Sequence, residues 1–200
     1  EWCEMAVPGV VSCKALDNRI GVGLMCDALG ELANDPSPTT TVVGVATVQE
    51  ELGARGARTA SQVAGPDVAI VLEATPADDN PGATARQASL GAGPQVRMFD
   101  PTAVANRRLV EAVRDVARAA DLPLQVAVRR TGGTDAQAFH VSGLGVPTVV
   151  VGVPTRYIHT HVALARWSDY EAAFDLIVAL VRALDGPTVA RLTDFGPTGG

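Results

Sequence analysis

Short β-branched apolar runs alternate with stretches of helical periodicity along nearly the whole chain, and few architectures accept that order. Thr41 to Val48 is almost continuously apolar, as in a strand covered on both faces. Val68 to Leu72, Gln95 to Phe99, Leu124 to Val128 and Thr148 to Val153 read as further short strands. Helical spacing runs through Ala15 to Leu32, Ala54 to Ala64, Ala103 to Ala120, Asp135 to Ser142 and Tyr170 to Leu184. Val104, Leu109, Val113 and Val116 line one face of the third of these. Strands alternating with helices imply βαβ units, and so an α/β fold whose mainly parallel sheet carries helices on both faces.

With 47% of its 200 residues hydrophobic, the chain can bury the core of one such domain. Aromatic residues make up only 4%, so Val, Ala, Leu and Ile must fill that core. The net charge is -6 and no basic run occurs, which argues against nucleic acid as a partner because phosphate binding needs a positive field. No apolar stretch approaches the roughly 20 residues of a membrane-spanning helix. Cys3, Cys13 and Cys26 are odd in number and lack a CxxC spacing, which fits reduced cytoplasmic thiols better than a disulfide framework. The chain opens on Glu1 with no signal peptide, and Glu1 to Val11 reads as the middle of a longer protein. Residues 1–184 are expected to form the domain, with a long loop from Ala74 to Gly93 that is functional or mobile. Residues 185–200, rich in Gly and Pro, are expected to fray.

Ligands of open parallel sheets gather where strands end, and four polar clusters fall at such ends or at helix starts. They are Asp17-Asn18-Arg19, Gln49-Glu50-Glu51, Glu73 and Arg156-Tyr157-Ile158-His159. Three acidic groups and an imidazole meeting at one rim would suit zinc, cobalt or manganese. Each cluster also has a plainer reading. Asp17 could cap a helix, the glutamates could be solvated strand ends, and His161 competes with His159.

Taken together and in order, the clusters and their flanks resemble the tetrahedral (TET-type) aminopeptidases, which include glutamyl aminopeptidases and relatives labelled endoglucanases. The matching stretches are Lys14 to Gly21, Thr47 to Gly53 with Arg55 to Ala57, Asp67 to Glu73, Asp79 to Gly82, Gly132 to Ala136, Gly145 to Thr148 and Arg156 to His159. The resemblance spans Lys14 to Leu184 and implies a three-layer α/β/α sandwich of the zinc-exopeptidase type. It implies two divalent metal ions, zinc or cobalt first and manganese after them. Asp17 would bridge the pair, Glu51 would hold one and Glu73 the other, and His159 would be a terminal ligand. Glu50 would be the general base toward the attacking water. Gly132, Gly133, Thr134 and Asp135 would border the substrate and offer backbone dipoles at a helix start, unless that turn is a simple cap. The implied substrates are peptides trimmed from their N-termini, and the implied assembly is a homo-oligomer of twelve subunits.

Two departures stand out. Glu73 takes a place where several relatives carry Asp. The family's further histidine, from a His-x-Asp motif near the N-terminus, has no counterpart, because the histidines here are His140, His159 and His161. The small β-rich inserted domain of the family is also missing. Two other readings therefore stay open: a glycoside hydrolase using Glu50 or Glu51 with Glu73, and a catalytically silent, truncated homologue.

Overall fold

The computed structural model describes residues 2–36, 39–83, 86–194 and 196. In chain order the elements are β1 (Trp2–Glu4), β2 (Val10–Cys13), α1 (Leu16–Leu32), α2 (Arg55–Ala64), β3 (Ala69–Pro76) and β4 (Gln95–Asp100). There follow β5 (Ala103–Val104), α3 (Arg107–Ala119), β6 (Gln125–Val128), α4 (Ala136–Phe139), β7 (Thr148–Arg156), β8 (Ala163–Arg166), α5 (Trp167–Ala183) and α6 (Gly186–Leu192).

All eight strands join one sheet in the order β1-β2-β8-β7-β4-β5, with β3 alongside β7 and β6 alongside β4. The α/β class is as expected, but the sheet is mixed rather than mainly parallel. Only β3–β7 and β4–β6 run parallel, while the other pairs among the described residues are antiparallel. Short connections explain part of this. Residues 157–162 between β7 and β8 are too few for a crossover helix, so those strands must turn back on each other.

β7 is the hub: it is buried along all but its last residue, as its uninterrupted apolar run requires. Side chains alternate across it. Val149, Val151 and Val153 join the main core with Leu16, Ile20 and Leu24 of α1, Leu109 and Val113 of α3, and Leu176, Ile177 and Leu180 of α5. Val150 faces the other way, with Val71, Ala103 and Ala136 of α4, and α2 packs nearby through Ala57 against Ala138 and Phe139. The result is three layers, with α1, α3, α5 and α6 on one side and α2 and α4 on the other.

Three sequence expectations change. Thr41 to Val48 forms no strand; it is an extended coil with Val42, Val43, Val45 and Val48 exposed. An apolar run becomes a strand only when a neighbour takes its backbone groups, and no strand among the described residues does so. Part of the expected tail is helical: Asp185 accepts a hydrogen bond from Thr188 N at 2.8 Å, Pro187 sits in the first turn, and α6 buries Leu192. The end of that expected tail, residues 195 and 197–200, lies outside the described residues. The loop after β3 is pinned at its described residues. Asp79 receives Arg156 Nε and Nη2 at 2.6 and 2.8 Å, and Asp169 of α5 accepts from Gly91 N and Gly93 N at 2.7 and 2.9 Å.

Candidate metal centre

Asp17 enters the site because the chain is not helical there. Asp17 and Asn18 have φ/ψ of -84/107° and -121/45°, which breaks the first turn of α1 and turns the carboxylate away from the helix. Glu50 and Glu51 lie on a single 3₁₀ turn, Glu50–Leu52, closed by Gly53 N and Ala54 N donating to Glu50 O at 2.9 Å each. The turn lets the adjacent glutamates diverge: Glu51 is exposed and Glu50 half-buried. Glu73 sits within β3, in register with Gly152 of β7, which in turn faces Gln95 of β4. By strand alternation it shares the α4 side of the sheet with Val71. His159 is carried on the short β7–β8 connection.

These segments converge. His159 Nε2 is 3.0 Å from Asp17 Oδ2 and 3.8 Å from Glu51 Oε1. The three residues each offer a ligand atom, all within 4.8 Å of one another. They line an open cleft of about 500 Å³ together with Lys14, Thr160 and His161. Ala15, Gln49, Tyr157 and His159 all have positive φ, between 55 and 65°. That conformation costs a non-glycine residue about 1–3 kcal/mol and concentrates at functional sites.

The cluster is electrostatically overloaded. Glu73 is 6% exposed. Burial pushes its carboxyl well above the usual range, and the charges of Glu50, Asp17 and Asp135 push the same way, against a weaker opposing pull from Arg97. Glu50 is pushed up to about 7 by burial, then by Asp135, Glu51 and Asp17. Asp17 is raised by burial and by Glu51, with His159 opposing. Two carboxylates, Asp17 and Glu51, meet the His159 imidazole, and the charges of Glu50, Glu73 and Asp135 act on one another close by. Asp17, Glu51 and His159 thus form an oxygen/nitrogen donor set of the kind that suits a divalent cation, and Glu73 lies outside that set of three.

The Gly132–Asp135 turn behaves differently from expectation. The helix after it is one turn, Ala136–Phe139, and Asp135 makes no side-chain cap. Instead Asp135 Oδ2 accepts from Thr47 Oγ1 while Oδ1 is buried without a partner. Burial raises its carboxyl, opposed by the Thr47 bond. Gly132 and Gly133 offer only backbone, and Thr134 Oγ1 accepts from Ala136 N. His140 stands apart, its Nδ1 2.7 Å from Ala136 O. Sequence reasoning gave no role to Thr47, although it lies in a matching stretch, nor to Asn18 of the Asp17-Asn18-Arg19 cluster, whose partners are distant in sequence.

The profile of the M42 glutamyl aminopeptidases matches residues 3–176. The chain belongs to that family. It is 39% identical over 196 residues to FrvX of Escherichia coli (strain K12), covering 97% of this chain and 53% of that protein. The TET aminopeptidase of the marine sediment archaeon Thaumarchaeota archaeon SCGC AB-539-E09 superposes with a TM-score of 0.92 at 40% identity, over 96% of this chain and 54% of its own. The TET1 peptidase of Pyrococcus horikoshii, described as assembling into a tetrahedron or a large octahedral shell, gives 0.79 at 29% identity. That match covers 90% of this chain and 53% of the peptidase. The M42 chain described here thus spans about half the length of the relatives it matches.

Proposed function

We propose that this M42 chain carries the catalytic face of a two-metal aminopeptidase that removes N-terminal residues from peptides. The observation that carries the reading is the convergence of Asp17, Glu51 and His159 from three separate segments onto one point of the cleft. Asp17 would be shared between two ions, Glu51 and His159 would hold one of them, and Glu73 would hold the other. Bound there, divalent cations polarise the scissile carbonyl and acidify a water molecule. Glu50, close enough to feel the charges of Glu51, Asp17 and His159, is left to act as a base. Its half-buried carboxyl is suited to take a proton from the attacking water and return it to the departing amine. Of the Gly132–Asp135 turn, Asp135 is the group with an acceptor to spare, and it borders the substrate. A histidine nitrogen within the carboxylate cluster suits metal binding rather than the two-carboxyl chemistry of a glycoside hydrolase.

Peptides are the substrates on this reading, and zinc, cobalt or manganese the metals. A homo-oligomer, twelve subunits by family resemblance, is the assembly, supported by the shells attributed to the P. horikoshii relative. A cytoplasmic location is part of the reading, supported by the free, exposed thiols of Cys3 and Cys26; among the described residues no helix is long and apolar enough to cross a membrane. The family's further histidine is not among these 200 residues, so metal stoichiometry is the sharpest test. Metal content is measured with cleavage of aminoacyl-anilides before and after chelation. Near two ions per chain, chelator-sensitive turnover, and loss of turnover but not of metal in Glu50→Gln support the reading. One ion or none without turnover would make this a silent homologue.

A further inference from the structure

β3 has one strand neighbour, β7, so the backbone on its opposite edge faces no strand among the described residues. A side chain fills the gap. Asn18 Nδ2 donates to Leu72 O at 2.7 Å, and Asn18 Oδ1 accepts from Ala74 N at 3.1 Å. One amide thus does what the backbone of a residue in a parallel neighbour would do, taking a carbonyl and an N–H two residues apart. The rung closes on the two residues that flank Glu73, and Asn18 itself follows Asp17 directly. α1 comes this close because Gly21 has no side chain: a Cβ there would lie 2.5 Å from Leu72 O.

Capping does not account for the arrangement. Asn18 Oδ1 also accepts from Gly21 N at 3.1 Å, and that bond alone would satisfy the start of the helix. The two bonds to β3 do something else. They tie the residue after Asp17, at a kinked helix start, to the two residues that flank Glu73 on a strand edge.

We propose that Asn18 is a positioning residue that sets the separation of Asp17 and Glu73, and thereby the affinity for the second divalent cation. The inference rests on the two-metal reading above. Asn18→Ser is the informative variant, because a serine hydroxyl can still cap Gly21 N but cannot reach both Leu72 O and Ala74 N. Cobalt is titrated into the metal-free protein and followed by its visible absorption, with melting temperature measured in parallel. The weaker cobalt affinity should fall about tenfold or more in Asn18→Ser, the range seen when groups supporting metal ligands are removed. Asn106→Ala is the control: it loses the cap of α3 and a bond to Leu192 O. It should lower the melting temperature while leaving cobalt affinity unchanged.

Wild-type cobalt affinities in Asn18→Ser, or an equal loss in Asn106→Ala, would overturn the proposal. If Asn18→Ser does not fold, Asn18→Asp decides by sign. It keeps the acceptor bonds and removes the donor to Leu72 O. An added carboxylate by electrostatics alone strengthens cobalt binding, whereas misplacement of Glu73 weakens it. Stronger binding refutes the positioning role. Wild-type protein that takes up no second cobalt at all would instead refute the two-metal reading.

Discussion

Gly152 is the residue on which β7 and the site depend most directly. It lies in a buried stretch of β7 between Glu73 and Gln95, and Thr75 leans over it. A Cβ at this position would stand 2.0 Å from Thr75 Cγ2, 2.8 Å from Thr75 Oγ1 and 2.9 Å from Thr75 Cβ. Ordinary carbon contacts lie at about 3.5–4.0 Å, so Gly152→Ala demands a shift of roughly 1.5 Å where Thr75 is wholly buried. Overpacking of this kind costs about 1–3 kcal/mol, and three simultaneous contacts favour the upper end. Alanine regains about 0.5–1 kcal/mol over glycine in a strand, leaving a net loss of about 2 kcal/mol. In a chain of this size that lowers the melting temperature by roughly 4–8 °C, measurable by circular dichroism. Thr75→Ala removes the two nearest atoms, so the double variant should recover much of the loss, with a coupling of about 1 kcal/mol or more in the cycle. Cobalt affinity should fall in the single variant and return in the double, since Glu73 is two residues from the clash. Strict additivity, or a Gly152→Ala protein as stable as wild type, would refute this account of why the strand carries glycine.

Three further outcomes are expected. Asp17→Asn should weaken both metal sites together by about tenfold or more, read by cobalt titration; loss confined to one site would argue against a bridging carboxylate. His159→Ala should abolish tight binding at one site while His161→Ala stays within a few-fold of wild type in metal affinity and turnover, because His159 and not His161 meets Asp17 and Glu51; the reverse ranking would reassign the ligand. In the metal-free protein, Glu50 titrates near 7 instead of its ordinary 4.5. The folded state therefore holds a proton between those values that the unfolded chain has lost, so stability rises as pH falls through that window. Asp17, Glu73 and Asp135, also raised, add the same sign, whereas Asp79, lowered by Arg156, opposes them only below the ordinary carboxylate range. A chelated sample melting higher at pH 5.5 than at 7.5 agrees with this, and the opposite order would contradict the crowded cluster.

What could be read in advance divides along a physical line. β7 was legible because burial on both faces leaves an apolar run that only a central strand tolerates, whereas Glu73 was placed at the end of a strand and lies buried within β3. Residue type also pointed to Asp17, Glu51 and His159 as donors. Thr41 to Val48 was misread because hydrophobicity reports a preference for burial and says nothing of a partner. α6 was missed because Gly186 and Pro187 act as breakers in a helix interior yet serve well in a first turn behind Asp185. The approach of the donors to one another was not legible at all. It depends on left-handed backbone at Ala15, Gln49 and His159, residue types that give no warning of it, and on Asn18, which bonds to backbone carrying no signature in sequence. Local sequence thus specifies which chemistry can occur here, while the distances that make it a site come from contacts between segments about 50 to 140 residues apart. Variants at those contacts, more than at the donors, will show whether the geometry is built into the fold or imposed by the metal.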